Sequence, residues 1–494
     1  MKKYLLIISC MIFNHLSYSQ ENQKLYKVLL KQADSLYRAK DYKIAAINFS
    51  AILKLSDRKP TIWDWNNAAF SWSKAGFPDS ALYNLEMIAE IDTITFSDYL
   101  DISTDQDYTT LHELNRWKMT IGRIFNNARK ALPSQIKLSN EKTAFRLQFY
   151  AAQAWVNNNE SDSAFVHLKK LATSKALTLE NADEILKNTT LKKLQASIQW
   201  QELLVEMFKT LNKKYIPASA FKKKNKKQML IDGAHYNFHD ITGTYEVLAG
   251  MLRKSRFNVT GLTDTIRESN LKNIDILIIS NPSPDRMDSL NKRAQRDKEP
   301  TRWSKVATQS AFTLSEVSAI KNWVYSGGSL LLIIDHAPYG KSGGLLAEAF
   351  GVESRNVSTL DSLSLDPAAD TVGGARNILF TRIKGLIGNH PIMHGVDSVT
   401  TYTGESLLGP KNSAVLLQLP STAYDRDWLP ESRQYRNRSA LGRSQGIVLE
   451  FGKGRLVLLG EAAQTRPAFL SVSNRGNWPF LLNILRWLAK EELN

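Results

Sequence analysis

Residues 329–336 read Ser-Leu-Leu-Leu-Ile-Ile-Asp-His, a run of five aliphatic side chains that ends in two polar ones. An unbroken apolar run of this length is typical of a strand that is buried on both faces of a sheet. A glycine pair, Gly327-Gly328, precedes the run, and a glycine-rich turn follows it. The pattern predicts a central strand with Asp335 and His336 at its carboxyl end.

The same pattern recurs on both sides of this strand. Short strands are predicted for Met229–Asp232 and Asp275–Ser280, and a hairpin is predicted for Gly446–Phe451 with Arg455–Leu459. Helices are predicted for Tyr245–Arg256, for the segment that opens with the capping-box sequence Thr313-Leu-Ser-Glu316, and for Asn477–Leu488. Strands that alternate with helices predict a flavodoxin-like, doubly wound parallel sheet, which we assign to residues 229–490.

Seven polar residues follow the predicted strands, where sheets of this class bind their ligands. The candidate catalytic residues are Asp335, His336 and Glu461. The candidate ligand-binding residues are Asp232, His235, His239 and Asn281. In the alternative interpretation, these side chains hydrogen-bond the loops at the edge of the sheet and touch no ligand.

The sequence offers two more specific candidate sites in this half, a zinc site and a phosphate-binding loop. His235 and His239 have the spacing of helical histidine pairs that bind zinc, but position 236 is Tyr where such motifs carry Glu. Gly340-Lys341-Ser342 matches the end of a phosphate-binding loop, but Asp335 stands where the loop needs its first glycine. We therefore predict neither a metal nor a cofactor.

Four phrases of this half resemble the class I glutamine amidotransferase-like superfamily, and most closely its branches without a thiol, such as trehalose-utilisation-like domains. The phrases are 231–235 (Ile-Asp-Gly-Ala-His), 323–331, 390–396 (His-Pro-Ile-Met-His-Gly-Val) and 476–488. Glutaminase members of that superfamily carry a cysteine on a strand–turn–helix elbow. Here Asp335 or His336 takes the comparable turn, and the single cysteine of the chain is Cys10. The resemblance therefore implies the fold without thioester chemistry.

The N-terminal half contains a repeated pattern of small residues. Alanines stand twelve positions apart in three pairs, and a large apolar residue follows each second alanine by four positions. The pairs are Ala33 and Ala45, Ala69 and Ala81, and Ala152 and Ala164; the large residues are Phe49, Leu85 and Leu168. The pattern resembles the tetratricopeptide repeat, and we predict a TPR-like helical array over residues 21–215. Trp117 and Trp200, each six positions after a leucine, are predicted to be core residues.

Charge and composition mark a boundary between the halves. The 494-residue chain has a formal net charge of +16, and five of its lysines lie in one run between positions 222 and 227. Like charges keep such a segment extended, so we predict a basic linker over residues 216–228. The basic balance does not indicate nucleic-acid binding, because no strand combines aromatic and basic residues in the pattern of a nucleic-acid module.

The first residues predict export. Lys2 and Lys3 precede the apolar stretch Tyr4–Phe13, and Ser17-Tyr18-Ser19 fits a cleavage site, so residues 1–19 are predicted as a signal peptide. The alternative is a lipid anchor at Cys10. No later apolar run has the length of a transmembrane helix. We expect a periplasmic or extracellular protein.

Two functions are consistent with these patterns. The first is an exported binding or scaffold protein, in which the helical array holds a protein partner and the altered amidotransferase-like domain holds a small molecule, a carbohydrate or a protein. The alternative is a hydrolase of the cell envelope that acts on a carbohydrate or an amide through Asp335, His336 and Glu461.

Overall fold

A computed structural model describes residues 23–55, 59–222, 226–286, 309–367, 377–429, 432–466, 470 and 475–493. These residues form two compact units. The first extends to Ala176 and includes Lys193–Gln199; the second comprises Leu177–Lys192 and the chain from Trp200 onward. The predicted signal peptide lies outside the described residues.

The first unit is entirely helical in its regular structure. Its helices are α1 (23–38), α2 (Tyr42–Ile52), α3 (Ile62–Lys74), α4 (Pro78–Ala89), α5 (Phe96–Ser103), α6 (Asn115–Leu138), α7 (Glu141–Asn157) and α8 (Ser161–Ala172). Side-chain caps fix several starts: Thr61 and Thr95 form capping boxes with Asp64 and Asp98, and Asn140 caps α7. The prediction of an N-terminal helical region is confirmed.

The repeated small residues lie in the core of this unit. All six alanines of the three pairs are fully buried, as are the large residues Phe49, Leu85 and Leu168. Each pair spans two successive helices: α1 and α2, α3 and α4, and α7 and α8. Alanine lets two helix backbones approach closely, which accounts for its place in each pair. Trp117 and Trp200 are buried as predicted. The identification of these helix pairs as TPR-like stays a prediction.

The second unit contains a large mixed sheet and its flanking helices. The helices are α9 (Leu179–Lys187), α10 (Ile198–Tyr215), α11 (Glu246–Arg253), α12 (Glu268–Leu271), α13 (Leu314–Tyr325), α14 (Tyr339–Glu348) and α15 (Asn477–Leu488). Strands β1–β7 are Lys227–Asp232, Phe257–Leu262, Ile276–Ser280, Ser329–Ile333, Glu353–Ser354, Ser358–Leu360 and Asn377–Thr381. Strands β8–β14 are Ser398–Tyr402, Leu407–Leu408, Ala414–Gln418, Tyr424–Leu429, Gln434–Ser439, Ser444–Phe451 and Gly454–Leu459.

The sheet order confirms the predicted fold. The main path runs β2-β1-β3-β4-β14-β13, and its first five strands are parallel. This is the flavodoxin-like order, in which each parallel connection crosses over the sheet. Strand β13 pairs antiparallel with β14 and forms the predicted hairpin. Ligand sites of such a sheet lie at the carboxyl ends of its parallel strands.

Helices cover the sheet on both faces. On one face, alternate strand residues such as Leu277, Leu330 and Leu458 form one apolar core with Ile320 of α13 and Leu346 of α14. On the other face, α15 packs on β4 and β14, and α11 packs on β2. Helix α10 approaches α11 so closely that a Cβ at Gly250 would lie 2.4 Å from the ring of Phe208. The sheet is thus the middle layer of the unit.

The chain between β4 and β14 carries most of the additional structure. Strands β12, β11 and β6 form a three-stranded sheet, and β7 pairs with β8. The arginine-rich stretch 421–444 contains the antiparallel strand pair β11–β12. Strand β1 begins at Lys227, inside the predicted basic linker, and the Nζ of Lys227 binds Asp275 at 2.7 Å. No helix among the described residues is long and apolar enough to cross a membrane.

Candidate functional site

The predicted residues all lie at one edge of the main sheet. Ile333 pairs with Ser280 on one side and with Leu459 on the other, so Asn281, Asp335 and Glu461 follow three adjacent parallel strands. Asp232 ends the next strand, β1. The loops after β1 and β4 supply His235, His239 and His336. The sequence therefore predicted the shared location of these side chains, and their contacts fall into two separate groups.

The first group is a buried ionic clamp, which we define as Asp232, His235 and Glu316. The Nδ1 of His235 lies 2.9 Å from Oδ2 of Asp232, and its Nε2 lies 3.0 Å from Oε1 of Glu316. All three residues are buried. Glu316 is also the capping-box residue of α13, and its Oε2 accepts hydrogen bonds from the N–H and O–H of Thr313. The ionic clamp therefore connects the end of β1 to the start of α13.

Electrostatics keep the ionic clamp charged. Burial by itself lowers the pKa of His235, but the hydrogen bonds and charges of Asp232 and Glu316 outweigh it and raise the pKa above its ordinary value. Burial raises the pKa of Glu316, but hydrogen bonds from Thr313, from the N–H of Ile266 and from His235 lower it overall. A protonated His235 between two carboxylates satisfies both of its ring nitrogens within the protein.

His239 belongs to a neutral aromatic cluster beside the strand ends. Its ring stacks on Tyr245 with 5.6 Å between centroids, and its Nδ1 lies 2.7 Å from Oγ1 of Thr244. Burial, followed by the charges of Arg466 and Lys187, lowers the pKa of His239 to about 3. Tyr245 in turn hydrogen-bonds Ser280 at the end of β3 and Thr465 beyond β14. These contacts make His239 and Tyr245 a packed support for three loops.

Asn281 joins three segments through its backbone and its side chain. Its Oδ1 accepts the N–H of Asp335 at 3.1 Å, its N–H donates to Ile333, and its carbonyl accepts the N–H of Phe238. The residue has φ = 48°, a left-handed conformation that asparagine tolerates better than most side chains. Asn281 therefore sets the position of Asp335 relative to β3.

The second group is the carboxyl pair Asp335 and Glu461, which follow the neighbouring strands β4 and β14. Both oxygens of Glu461 accept backbone hydrogen bonds, Oε1 from Ala463 at 2.6 Å and Oε2 from Gln464 at 2.8 Å. Oδ1 of Asp335 accepts the N–H of His336 at 2.7 Å. Oδ2 of Asp335 accepts no hydrogen bond from any residue that the structure describes.

Neither member of the carboxyl pair forms a salt bridge with a residue that the structure describes. Burial, followed by the charge of Asp335, raises the pKa of Glu461 well above its ordinary value, although the N–H groups of Gln464 and Ala463 oppose the shift. The direction of this shift favours the protonated form of Glu461. His336 does not join the pair through Nδ1, which lies 2.8 Å from the carbonyl oxygen of Ala337.

A third buried acid, Glu405, escaped the sequence analysis. It accepts the N–H groups of Arg355 and Asn356, and burial raises its pKa well above the ordinary value. Its carboxyl group occupies the space that a Cβ at Gly340 would need, which explains glycine at the start of α14. The neighbouring Ser406 donates to Asp425 and accepts from Arg443, so its hydroxyl is engaged in a structural network.

No sequence pattern indicates that Glu316 or Tyr245 supports this edge, because both lie within helical patterns that indicate only capping or core packing. The capping-box sequence located Glu316, but its second oxygen binds a residue 81 positions away. Within the described ranges, no group of three or more His, Cys, Asp or Glu side chains could hold a metal ion.

Comparison with known proteins gives similarity in solved structures alone. No protein-family model matches the chain, and no curated protein matches it. A ThuA-like protein from Bacteroides uniformis is 14% identical, with a TM-score of 0.31, over 55% of this chain and 94% of that one. The cytoplasmic protein STM1381 from Salmonella typhimurium is also 14% identical, with a TM-score of 0.29, over 53% of this chain and 99% of that one. The cytoplasmic protein STM3548 from the same organism is 14% identical, with a TM-score of 0.28, over 53% of this chain and 98% of that one.

Proposed function

We propose that the second unit binds a hydroxyl-rich small molecule, such as a carbohydrate, at the carboxyl edge of its sheet. The supporting observation is Oδ2 of Asp335, which accepts no hydrogen bond from the described residues. A carboxyl oxygen accepts hydrogen bonds, so it suits the hydroxyl groups of a sugar. A few polar groups in fixed positions are typical of small-molecule sites.

Binding is favoured over turnover because of the state of Glu461. A general acid must come within hydrogen-bond reach of the bond that it protonates. Glu461 is fully buried, and both of its oxygens already accept backbone N–H groups. Its role in the proposal is to fix the turn after β14 beside Asp335.

Titration calorimetry of the full chain with trehalose, maltose and glutamine tests this proposal. We expect saturable binding of a sugar with a Kd below about 1 mM, and a loss of about tenfold or more in Asp335→Asn, which removes one charged acceptor. Asp264→Asn is the matched control, because Asp264 is an exposed aspartate that pairs with Arg267 and is not a member of the carboxyl pair. Equal affinity in wild type and Asp335→Asn, or no saturable binding of either sugar, would contradict the proposal.

The second candidate is a hydrolase that acts on a carbohydrate or an amide. The observation in its favour is a neutral carboxyl group beside a second carboxyl group, the combination that glycoside hydrolysis requires. Release of nitrophenol from p-nitrophenyl glucosides, or of ammonia from glutamine, would support it if Asp335→Asn and Glu461→Gln both abolish the release. Binding of sugar without release supports the first candidate.

The helical unit is proposed to hold a protein partner. Large apolar side chains are exposed on its first helices: Ile44 and Ile47 on α2, Trp63 on α3 and Tyr83 on α4. A photo-crosslinking residue in place of Trp63 in the full chain is expected to give one discrete protein adduct in cells. The same residue in place of Leu138, which is 87% exposed at the end of α6, is the control and should give none.

Export to the periplasm or the medium is proposed on the N-terminal sequence alone. Cell fractionation and N-terminal sequencing test it, and a mature protein that begins at Gln20 is the expected result. A lipid-modified Cys10 at the mature N-terminus would identify the alternative anchored form instead.

A further inference from the structure

A second concave site lies at the 390–396 phrase and is lined by none of the seven candidate residues predicted from the sequence. We call it the histidine groove. It has a volume of about 460 Å³ and is lined by Arg382, Asn389, His390, Met393, His394 and Leu493, among others. This volume is within the range of small-molecule sites. Four of the six named side chains carry polar groups that can donate hydrogen bonds.

Side-chain hydrogen bonds to backbone carbonyls hold the loop that forms the groove. Arg382 donates from Nη2 to the carbonyls of Met393 at 2.6 Å and Val396 at 2.8 Å. Asn483 of α15 donates from Nδ2 to the carbonyls of Ile392 at 2.9 Å and His394 at 3.0 Å. Four successive or near-successive carbonyl oxygens are therefore engaged, so few backbone acceptors remain to face a ligand. A prearranged loop also lowers the entropic cost of binding.

The side chains of the groove still offer several N–H groups that can donate hydrogen bonds to a ligand. Nδ1 of His390 accepts the N–H of Ile392 at 3.2 Å, which places the ring proton of the neutral form on Nε2. Burial, only partly offset by Glu450, lowers the pKa of His390, which favours that neutral form. The ring of His394 makes no hydrogen bond within the described part of the chain, and neither does Nη1 of Arg382. Asn389 adds a carboxamide N–H.

The charge of Arg382 is only weakly compensated. Its Nε lies 3.6 Å from Oδ1 of Asp397, whose side chain is 90% exposed. Exposed ion pairs of this kind contribute little, and water screens them. Because no third metal-ligating side chain joins His390 and His394 among the described residues, a cation site is not indicated. Because Nη2 of Arg382 binds the loop, its Nη1 N–H groups remain, and together with the neighbouring ring and carboxamide N–H donors they suit an oxyanion.

We propose that the histidine groove binds a phosphate group, either as free phosphate or as part of a small phosphomonoester. A phosphate group presents three or four oxygens, against the two of a carboxylate, so it can accept hydrogen bonds from donors on several sides of the groove at once. The apolar side chains of Met393 and Leu493 line the same groove and offer contacts to the remainder of a phosphomonoester.

Titration calorimetry of the full chain with inorganic phosphate, glucose 6-phosphate and acetate tests this inference. We expect saturable phosphate binding that is weakened about fivefold in His394→Gln, which removes a ring N–H donor. Arg382→Gln removes a charged donor and also the two hydrogen bonds from Nη2 to the loop, so we expect a larger loss there, of about tenfold. His394→Gln leaves every loop contact in place, so its effect cannot be ascribed to misfolding. Lys384→Gln is the control: it removes a neighbouring exposed charge outside the groove and should change the affinity less than twofold.

Comparison of the titrations with inorganic phosphate and glucose 6-phosphate distinguishes free phosphate from a phosphomonoester. Tighter binding of glucose 6-phosphate than of phosphate identifies a phosphomonoester, and equal binding identifies the free ion. Acetate that binds as tightly as phosphate would overturn the inference, because it would make the groove a carboxylate site. Absence of saturable binding, or an equal loss in Lys384→Gln and His394→Gln, would overturn it as well.

Discussion

Buried carboxyl groups are stabilised in different ways at the two ends of the same sheet edge. Beyond β1, Asp232 and Glu316 share the cation His235, which contacts both at about 3 Å. Beyond β4 and β14, Asp335 and Glu461 form no salt bridge with a described residue, and burial together with the charge of Asp335 raises the pKa of Glu461 well above its ordinary value. A buried charge is tolerated when it is paired, and otherwise the group changes its protonation state.

The difference indicates which end is available for a ligand. The ionic clamp satisfies its charges internally, so a ligand would have to break a complete network to gain a contact. The carboxyl pair leaves Oδ2 of Asp335 without a hydrogen bond from the described residues, so a ligand could add a bond at little cost. We therefore assign stability to the first group and binding to the second.

Removal of the cation is expected to have the largest effect. His235→Ala leaves two buried carboxyl groups facing each other, and loss of one member of a buried ionic group costs about 3–5 kcal/mol. Urea unfolding monitored by circular dichroism measures the loss in the free energy of unfolding. His394→Ala, at an exposed ring without hydrogen bonds among the described residues, is the control and should be nearly neutral.

The pH dependence of unfolding sharpens this result. The pKa of His235 is raised, so its stabilising contribution is complete below the unfolded-state pKa near 6.5 and is lost as the pH rises through the folded-state value. The pKa of Glu316 is lowered, so its contribution is present above about 4.5 and is lost at more acidic pH. If His235→Ala destabilises equally at pH 6 and pH 9, the histidine is not the charged member of the clamp.

A smaller effect is expected at the neutral acid. Glu461→Gln keeps the size and the neutrality of the side chain but turns one acceptor into a donor, so it leaves one backbone N–H unsatisfied, at a cost of about 1–2 kcal/mol at pH 5. The wild type loses stability as the pH rises above about 4.5, because its unfolded state ionises Glu461 and its folded state does not. The difference between the two proteins should therefore shrink toward pH 8. A constant difference would show that Glu461 is ionised in the folded protein.

The cap that supports the ionic clamp should contribute still less. Thr313→Ala removes the side-chain cap of α13 and one of the hydrogen bonds to Glu316, and a lost N-cap costs about 1 kcal/mol. Thermal unfolding measures this change, and Thr313→Ser, which keeps the hydroxyl group, should recover most of it. If Thr313→Ser is as unstable as Thr313→Ala, the hydroxyl group is not the source of the effect.

The sequence predicted the fold of this unit well because its parallel strands are buried on both faces. Runs such as Leu330–Ile334 carry no polar residue, so their length and position locate the central strands. The small sheets between β4 and β14 were missed, since strands such as Gln434–Ser439 are exposed and polar and lack any hydrophobic alternation. The third strand of that sheet, β6, pairs with β11 although Thr359 and its partner Asp425 lie far apart in the sequence, and no local pattern encodes such a partner.

The sequence also predicted which residues lie at the edge of the sheet, but it did not predict the partners or the protonation of each side chain there. A residue at a strand end is near the edge by topology, whereas its protonation and its partners depend on loops that converge in three dimensions. His235 and His239 lie four positions apart, yet one pairs with two carboxylates and the other packs on an aromatic ring. Tyr245, which joins β3 to the segment after β14, reads in the sequence as an ordinary helical residue.

The smallest change in stability is expected at the residue that we assign to the ligand. Asp335→Asn retains an oxygen to accept the N–H of His336 and places an amide where Oδ2 now stands, so unfolding should change by no more than about 1 kcal/mol. The substitution also removes the charge that raises the pKa of Glu461. Wild-type stability should therefore fall more steeply between pH 5 and pH 8 than that of Asp335→Asn. If the two slopes are the same, Asp335 does not influence Glu461, and the two carboxyl groups do not act as a pair. If Asp335→Asn instead loses as much stability as His235→Ala, Asp335 is part of the framework, and the contrast between a structural and a binding end of the sheet fails.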